Sequence, residues 1–235
     1  MPDVTPQNAP VPGKSGFKST ARVQTNWTAA AEKRALISMA GHMPRWVNSD
    51  HLTLLGVLAM LAAGVCYWAA QFWTGWLVVV NVMLVVNWFG DSLDGTLARV
   101  RNRQRPRYGF YVDHVVDMIG AASLLGGLAC SGFMQPTIAL SLLVAWLLLS
   151  AETYLATYVI GKFEMSFGWF GPTETRIVLA IGNFVLLVKP RVHILGRELA
   201  LFDVGGIVAA AAMTLVFAIA ATRHTAQLWR EERLD

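Results

Sequence analysis

The sequence predicts an all-α polytopic membrane protein, with six transmembrane helices preceded by an N-terminal amphipathic helix lying in the membrane interface. Three observations carry that expectation. Only 14% of the residues are charged and 55% are apolar, with a mean hydropathy of +0.47, whereas soluble domains average about 25% charged. The apolar residues run in blocks near bilayer length, roughly 20 residues each. Basic residues concentrate in alternate connections between those blocks, as a membrane protein of fixed orientation requires.

Residues 1–25 contain Pro, Ser and Thr, lack the apolar stretch of a signal peptide, and read as a disordered tail. Residues 26–46 are rich in Ala, Glu, Lys, Arg, Leu and Met, all good helix formers. Trp27 and Trp46 flank this segment and Lys33 and Arg34 lie within it, which favours an interfacial helix over a short soluble one. Residues 47–225 read as the six-helix membrane domain, with apolar blocks at about 51–70, 72–90, 112–131, 137–160, 174–189 and 204–222. The fifth block is short, with Glu174 and Arg176 at its start; Pro172 suits helix entry and Thr173 is a candidate cap. Residues 226–235 read as a C-terminal tail. Cys66 and Cys130 lie inside apolar blocks and read as small hydrophobes.

The net charge of +4 is unevenly placed. Six cations from Lys14 to Arg45 precede the first block, five arginines (Arg99, Arg101, Arg103, Arg105, Arg107) separate the second and third, and Arg223, Arg230 and Arg233 follow the last. With an even number of spans, these fall on one side, and positive charge marks that side as cytoplasmic. Lys189, Arg191 and Arg197 oppose the bias. The arginine-rich connection also suits an anionic lipid surface or a phosphate-bearing substrate.

Four aspartates stand at the ends of the second and third blocks: Asp91, Asp94, Asp113 and Asp117. Carboxylates at the edge of hydrocarbon are costly and usually functional. Asp91 and Asp94 share a helix face, with Gly95 and Ala98 leaving room for close approach. Gly109, Asp113 and Asp117 recur every four residues and share another face. Placing the two helices side by side gathers four carboxylates with small residues at the contact. Hard oxygen ligands suit two divalent ions, Mg²⁺ or Mn²⁺, an arrangement used in phosphoryl chemistry. A belt of salt bridges to local arginines is the plainer alternative, and it leaves the Gly and Ala positions unexplained.

The spacing resembles the signature of the CDP-alcohol phosphatidyltransferase family, D-x-x-D-G-x-x-A-R followed by a spacer and G-x-x-x-D-x-x-x-D. All eight fixed positions match: Asp91, Asp94, Gly95, Ala98, Arg99, Gly109, Asp113 and Asp117. The pair Leu52 and Thr53 with Gly56 is a looser match at the first span. The resemblance implies a six-helix bundle that forms homodimers. It makes Asp91, Asp94, Asp113 and Asp117 metal ligands, Asp117 also the general base, and Gly95, Ala98, Arg99 and Gly109 the lining of the CDP site. The implied reaction moves a substituted phosphoryl group from a CDP-linked donor, CDP-diacylglycerol for choice, to an alcohol acceptor in phospholipid biosynthesis, releasing CMP.

Arg105, Arg107, His114 and Arg176 are candidates for acceptor or phosphate binding, and Glu152 is a candidate either to pair with Arg176 or to face the substrate. His114 beside Asp113 also resembles choline and ethanolamine phosphotransferases, in which a CDP-aminoalcohol donates to diacylglycerol. A cation transporter is the alternative from a different class, although transport sites usually lie near the midplane. The expected setting is a prokaryotic inner membrane, with the site and both termini facing the cytoplasm and no nucleic-acid partner.

Overall fold

The computed structural model describes residues 29–160, 171–194 and 196–233. The expected tail at residues 1–25 and the start of the expected amphipathic helix lie outside them. Seven helices occur among the described residues: α1 (Ala29–His42), α2 (Ser49–Ala69), α3 (Trp76–Val100), α4 (Pro106–Ala129), α5 (Pro136–Ile160), α6 (Pro172–Val188) and α7 (Leu201–Glu231). Five of these, all but α1 and α6, are long and apolar enough to cross a membrane. The protein is an integral membrane protein.

Helix ends follow local chemistry. Block two was expected from residue 72, but α3 begins at Trp76 because 70–75 forms a turn. Pro106 starts α4 six residues before its apolar block, in the first helical turn where proline needs no amide hydrogen. Thr173 does not cap α6. Its hydroxyl bonds Glu32, and the Glu174 carboxylate instead accepts the Gly171 amide at 3.0 Å. α7 continues through much of the expected C-terminal tail, to Glu231.

Between α6 and α7, in the stretch that separates the fifth and sixth apolar blocks, β1 (Arg191–Ile194) and β2 (Arg197–Ala200) pair antiparallel. Gly196, at φ 76°, supplies the left-handed turn residue. This hairpin marks one end of the bundle. The same end carries the exposed aromatics Trp68, Phe72, Trp73 and Trp76, as a membrane–water boundary favours. The four aspartates lie at the other end, beside α1.

The α2 helix is the spine against which α3 and α4 both pack, and α3 and α4 pack on it rather than on each other. This corrects the expectation of α3 and α4 side by side with small residues at their contact. The close glycine contacts belong to α2. A Cβ on Gly90 of α3 would stand 2.6 Å from the Leu52 carbonyl oxygen, and one on Gly127 of α4 would stand 1.9 Å from that of Gly64. A Cβ on Gly109 would meet nothing within 4 Å. The α3 and α4 faces therefore stand apart instead of closing on one another. Tyr67, Leu77, Val80, Leu124 and Leu128 fill the core toward the hairpin end. Leu36 and Ala40 seat α1 on Leu52, Leu93 and Leu97 at the other.

Gly127→Ala should lower the unfolding temperature of the detergent-solubilised protein, since overpacking costs about 1–3 kcal/mol. Gly126→Ala, where the added carbon meets nothing within 4 Å, should leave it nearly unchanged. Equal shifts for the two would remove the close α2–α4 crossing.

Candidate active site

Asp94 is the most enclosed of the four aspartates, at 6% exposure. Burying a carboxylate demands hydrogen-bond partners, and α2 provides them. The Thr53 hydroxyl donates to Asp94 Oδ2 at 2.6 Å, and the Ser49 hydroxyl donates to the Asp94 carbonyl at 3.0 Å. The Gly95 amide donates to Oδ1. The charges of Asp91 and Asp113 both act on Asp94. Asp117 of α4 acts in turn on Tyr154 of α5.

Asp91 lies one turn back on α3. Its Oδ2 accepts from Arg176 Nη2 at 2.7 Å, and the same guanidinium donates through Nε to Asn87 Oδ1 at 2.8 Å. Asn87 passes the chain on to the Gly56 carbonyl at 3.0 Å. The carboxylate partner of Arg176 is thus Asp91, not Glu152. Glu152 is buried on α5 and accepts from His224 Nδ1 at 2.5 Å. That pair lines a cavity of about 260 Å³ between α5 and α7, with Thr153, Arg223 and Gln227.

The arginines of the α3–α4 connection have separate duties. Arg101 gathers the carbonyls of Met43 (2.9 Å), Pro44 (2.8 Å) and Val47, tying down the link from α1 to α2. Arg105 pairs with Asp50 and covers the Tyr108 ring. The Asp50 hydrogen bond pushes the Arg105 pKa up, so the guanidinium stays charged. Arg103 and Arg107 are exposed. Arg99 donates to Thr96 at 3.0 Å, and its guanidinium lies over Gly95, 3.5 Å from where a Cβ would stand.

His114 is buried between the Phe110 and Tyr154 rings, with centroids 4.1 and 4.2 Å away, and its Nδ1 donates to the Phe110 carbonyl. Glu32 of α1 accepts from Trp88 at 2.8 Å and from Thr173 at 3.3 Å, so α1 bridges α3 and α6 beside Arg176.

Among the described residues, no three His, Cys, Asp or Glu groups close to metal-ligating distance. Thr53 holds Asp94, and Arg176 holds Asp91. The donor chemistry still fits a hard divalent ion: four carboxylates, no soft ligand, three of them half-buried and one buried. Sequence reasoning missed Ser49, Asn87, Glu32 and His224. The loose Leu52–Thr53–Gly56 match was the available signal for Thr53 and Gly56.

An integral membrane bundle with acidic faces on two helices and cations at their mouth defines a membrane-embedded enzyme acting on a phosphate-bearing substrate. The family model for CDP-alcohol phosphatidyltransferase matches residues 46–223, and the chain belongs to that family, whose members generally depend on a divalent metal. The chain is 25% identical over 148 residues to the archaetidylinositol phosphate synthase of Pyrococcus horikoshii, covering 63% of this chain and 75% of the relative. It is 34% identical over 85 residues to the phosphatidylinositol phosphate synthase of Cutibacterium acnes, covering 35% and 38%. The crystal structure of Mycobacterium tuberculosis phosphatidylinositol phosphate synthase, with CDP-DAG bound, superposes with a TM-score of 0.56 at 18% identity, covering 83% of this chain and 94% of that one. The protein is an enzyme of phospholipid biosynthesis.

Thr53→Val should raise the dissociation constant for a CDP-linked donor about tenfold, because it strips a hydroxyl from a buried carboxylate. Thr53→Ser keeps that hydroxyl and should bind as wild type in the same titration.

Proposed function

We propose that this enzyme transfers a phosphatidyl group from CDP-diacylglycerol to the hydroxyl of a small polar alcohol, releasing CMP. The observation that carries the reading is the set of motif carboxylates at one end of the bundle, with buried Asp94 on α3 and half-buried Asp113 and Asp117 on α4. Support for a lipid donor comes from the neighbouring structure, which has CDP-DAG bound.

Asp91, Asp94, Asp113 and Asp117 would hold two divalent ions, Mg²⁺ or Mn²⁺. Such ions supply charge neutralisation on the donor's pyrophosphate. Gly95 and Ala98 leave a flat surface for the nucleotide, and Arg99 stands over it. Gly109 keeps the facing wall open. Asp117 accepts the proton of the attacking hydroxyl at a carboxylate oxygen. The acceptor oxygen then bonds to the phosphorus bearing the diacylglycerol, the phosphoanhydride bond to CMP breaks, and CMP leaves with the electron pair. Arg176 is the candidate for the acceptor side that reaches the aspartates. Arg105 is engaged by Asp50, Arg107 is exposed, and His114 is packed between rings.

In this reading α6 crosses the membrane as the fifth of six spans. Its 17 residues rise roughly 25 Å at 1.5 Å each. The acidic end and both termini then face the cytoplasm of a prokaryotic cell, and two copies form a homodimer. Membership of the family disposes of the transporter alternative. The aminoalcohol alternative rests on the Asp113–His114 pair alone.

Asp117→Asn should cut CMP release by at least about 10²-fold, the usual worth of a general base, while leaving donor binding near wild type. Retained turnover would take Asp117 out of the base role. In a donor panel, CDP-diacylglycerol should support CMP release and CDP-choline should not; chelation should stop the reaction and Mg²⁺ or Mn²⁺ restore it. Turnover of CDP-choline with diacylglycerol instead would move the enzyme to the aminoalcohol class.

A further inference from the structure

The α6 helix has little apolar reason to stand where it does. Its buried residues are Asn183 and Leu186, and most of its other side chains face outward. Lipid tails are as apolar as leucine, so burial of apolar surface alone would not hold such a helix at one depth and one rotation. Its contact with α3 is instead a ladder of polar bonds. The Tyr67 hydroxyl of α2 donates to Asn183 Oδ1 at 2.8 Å. Asn183 Nδ2 donates to Asn81 Oδ1 of α3 at 2.7 Å, and Asn81 Nδ2 returns to the Ala180 carbonyl of α6 at 3.2 Å. Tyr67 and Asn183 are both 0% exposed, and Asn81 is 8% exposed.

The ladder runs antiparallel. Asn183 and Ala180 meet Asn81, and one to two turns further along, Arg176 meets Asn87 and Asp91. Arg176, Ala180 and Asn183 share a face of α6 by their spacing of four and three residues. A slip of one residue along α6 moves the helix about 1.5 Å and turns it by about 100°, which breaks the rungs together. Asn183 lies roughly 10 Å from Arg176 by helical rise, over a separation of seven residues along α6.

We infer that Tyr67, Asn183 and Asn81 are positioning residues, which fix the depth and rotation of α6 and so deliver the Arg176 guanidinium to Asp91 at the active site. The inference rests on the proposed transfer reaction for its kinetic consequence, not for its geometry. These three side chains act through Arg176. Their contribution to turnover is therefore the contribution that passes through that guanidinium.

The test is Asn183→Leu, an apolar replacement of similar size, with Tyr67→Phe as the milder variant that keeps the Asn183–Asn81 bond. Labelling with phenylglyoxal followed by peptide mass spectrometry reads Arg176 without any turnover. Its side chain is 15% exposed, against 53% for Arg105, the internal control. Asn183→Leu should speed labelling of Arg176 several-fold and leave Arg105 unchanged. In CMP release, it should raise the acceptor KM about tenfold with kcat less affected, and in an Arg176→Ala background it should change neither beyond about twofold. An Arg176 labelling rate that does not move overturns the inference, as does an equal loss in both backgrounds. If Asn183→Leu yields no folded protein, Tyr67→Phe is decided by the same readings with smaller changes in the same direction. A wild-type protein that releases no CMP from any donor overturns the functional reading instead, and the labelling comparison still decides this one.

Discussion

The ion pair between Arg176 and Asp91 joins parts of the bundle that apolar packing leaves loosely connected. It spans 2.7 Å between the 17-residue α6 and the motif-bearing α3. Inside a bilayer, polar groups have no water to turn to and must find partners within the protein. Arg176 therefore holds Asp91 and Asn87, Asn87 holds the Gly56 carbonyl, and Thr53 and Ser49 hold Asp94. Each of these partners comes from a different helix than the group it satisfies. Satisfying the site's own polar atoms is thus the same act as assembling α2, α3 and α6 around it.

Close backbone approach supports this arrangement. Gly56 and Gly90 let α2 meet α3, and Gly64 and Gly127 let it meet α4. The spine can then present Thr53 and Ser49 to Asp94 while α3 and α4 stay apart. The separation suits a transferase for a bulky donor, because two acidic helices in tight contact would leave no room for a nucleotide and a lipid chain. At the mouth, α1 is pinned by Arg101 at its trailing carbonyls and by Glu32 to Trp88 and Thr173. The arginine-rich connection is consequently part scaffold, with Arg101 and Arg105 engaged by protein groups and Arg103 and Arg107 facing outward.

Much of this was legible in the chain because the membrane imposes simple rules on it. Apolar block length located the long helices, and the regular spacing of Asp91, Asp94, Gly95, Ala98, Arg99, Gly109, Asp113 and Asp117 placed the acidic faces and identified the family. Helix periodicity is local, so residues three or four apart share a face whatever surrounds them. The hairpin after α6 was missed because four-residue strands with mixed charge carry no clear alternation. Thr53 was only weakly legible, since one hydroxyl in an apolar span looks like any other.

What the linear order could not decide was which helix each face meets. Asp91 and Arg176 are 85 residues apart, Tyr67 and Asn183 are 116 apart, and Glu152 and His224 are 72 apart. No periodicity relates such positions. Their pairing depends on the rotation and depth of whole helices, and these follow from where glycines permit close approach and where buried polar atoms find partners. The chain alone therefore specified the chemistry and the faces that carry it. The tertiary structure chose the partners, parting α3 from α4 where a contact was expected and giving Arg176 to Asp91 where Glu152 was one candidate, because each buried polar group must be satisfied by whichever helix stands beside it.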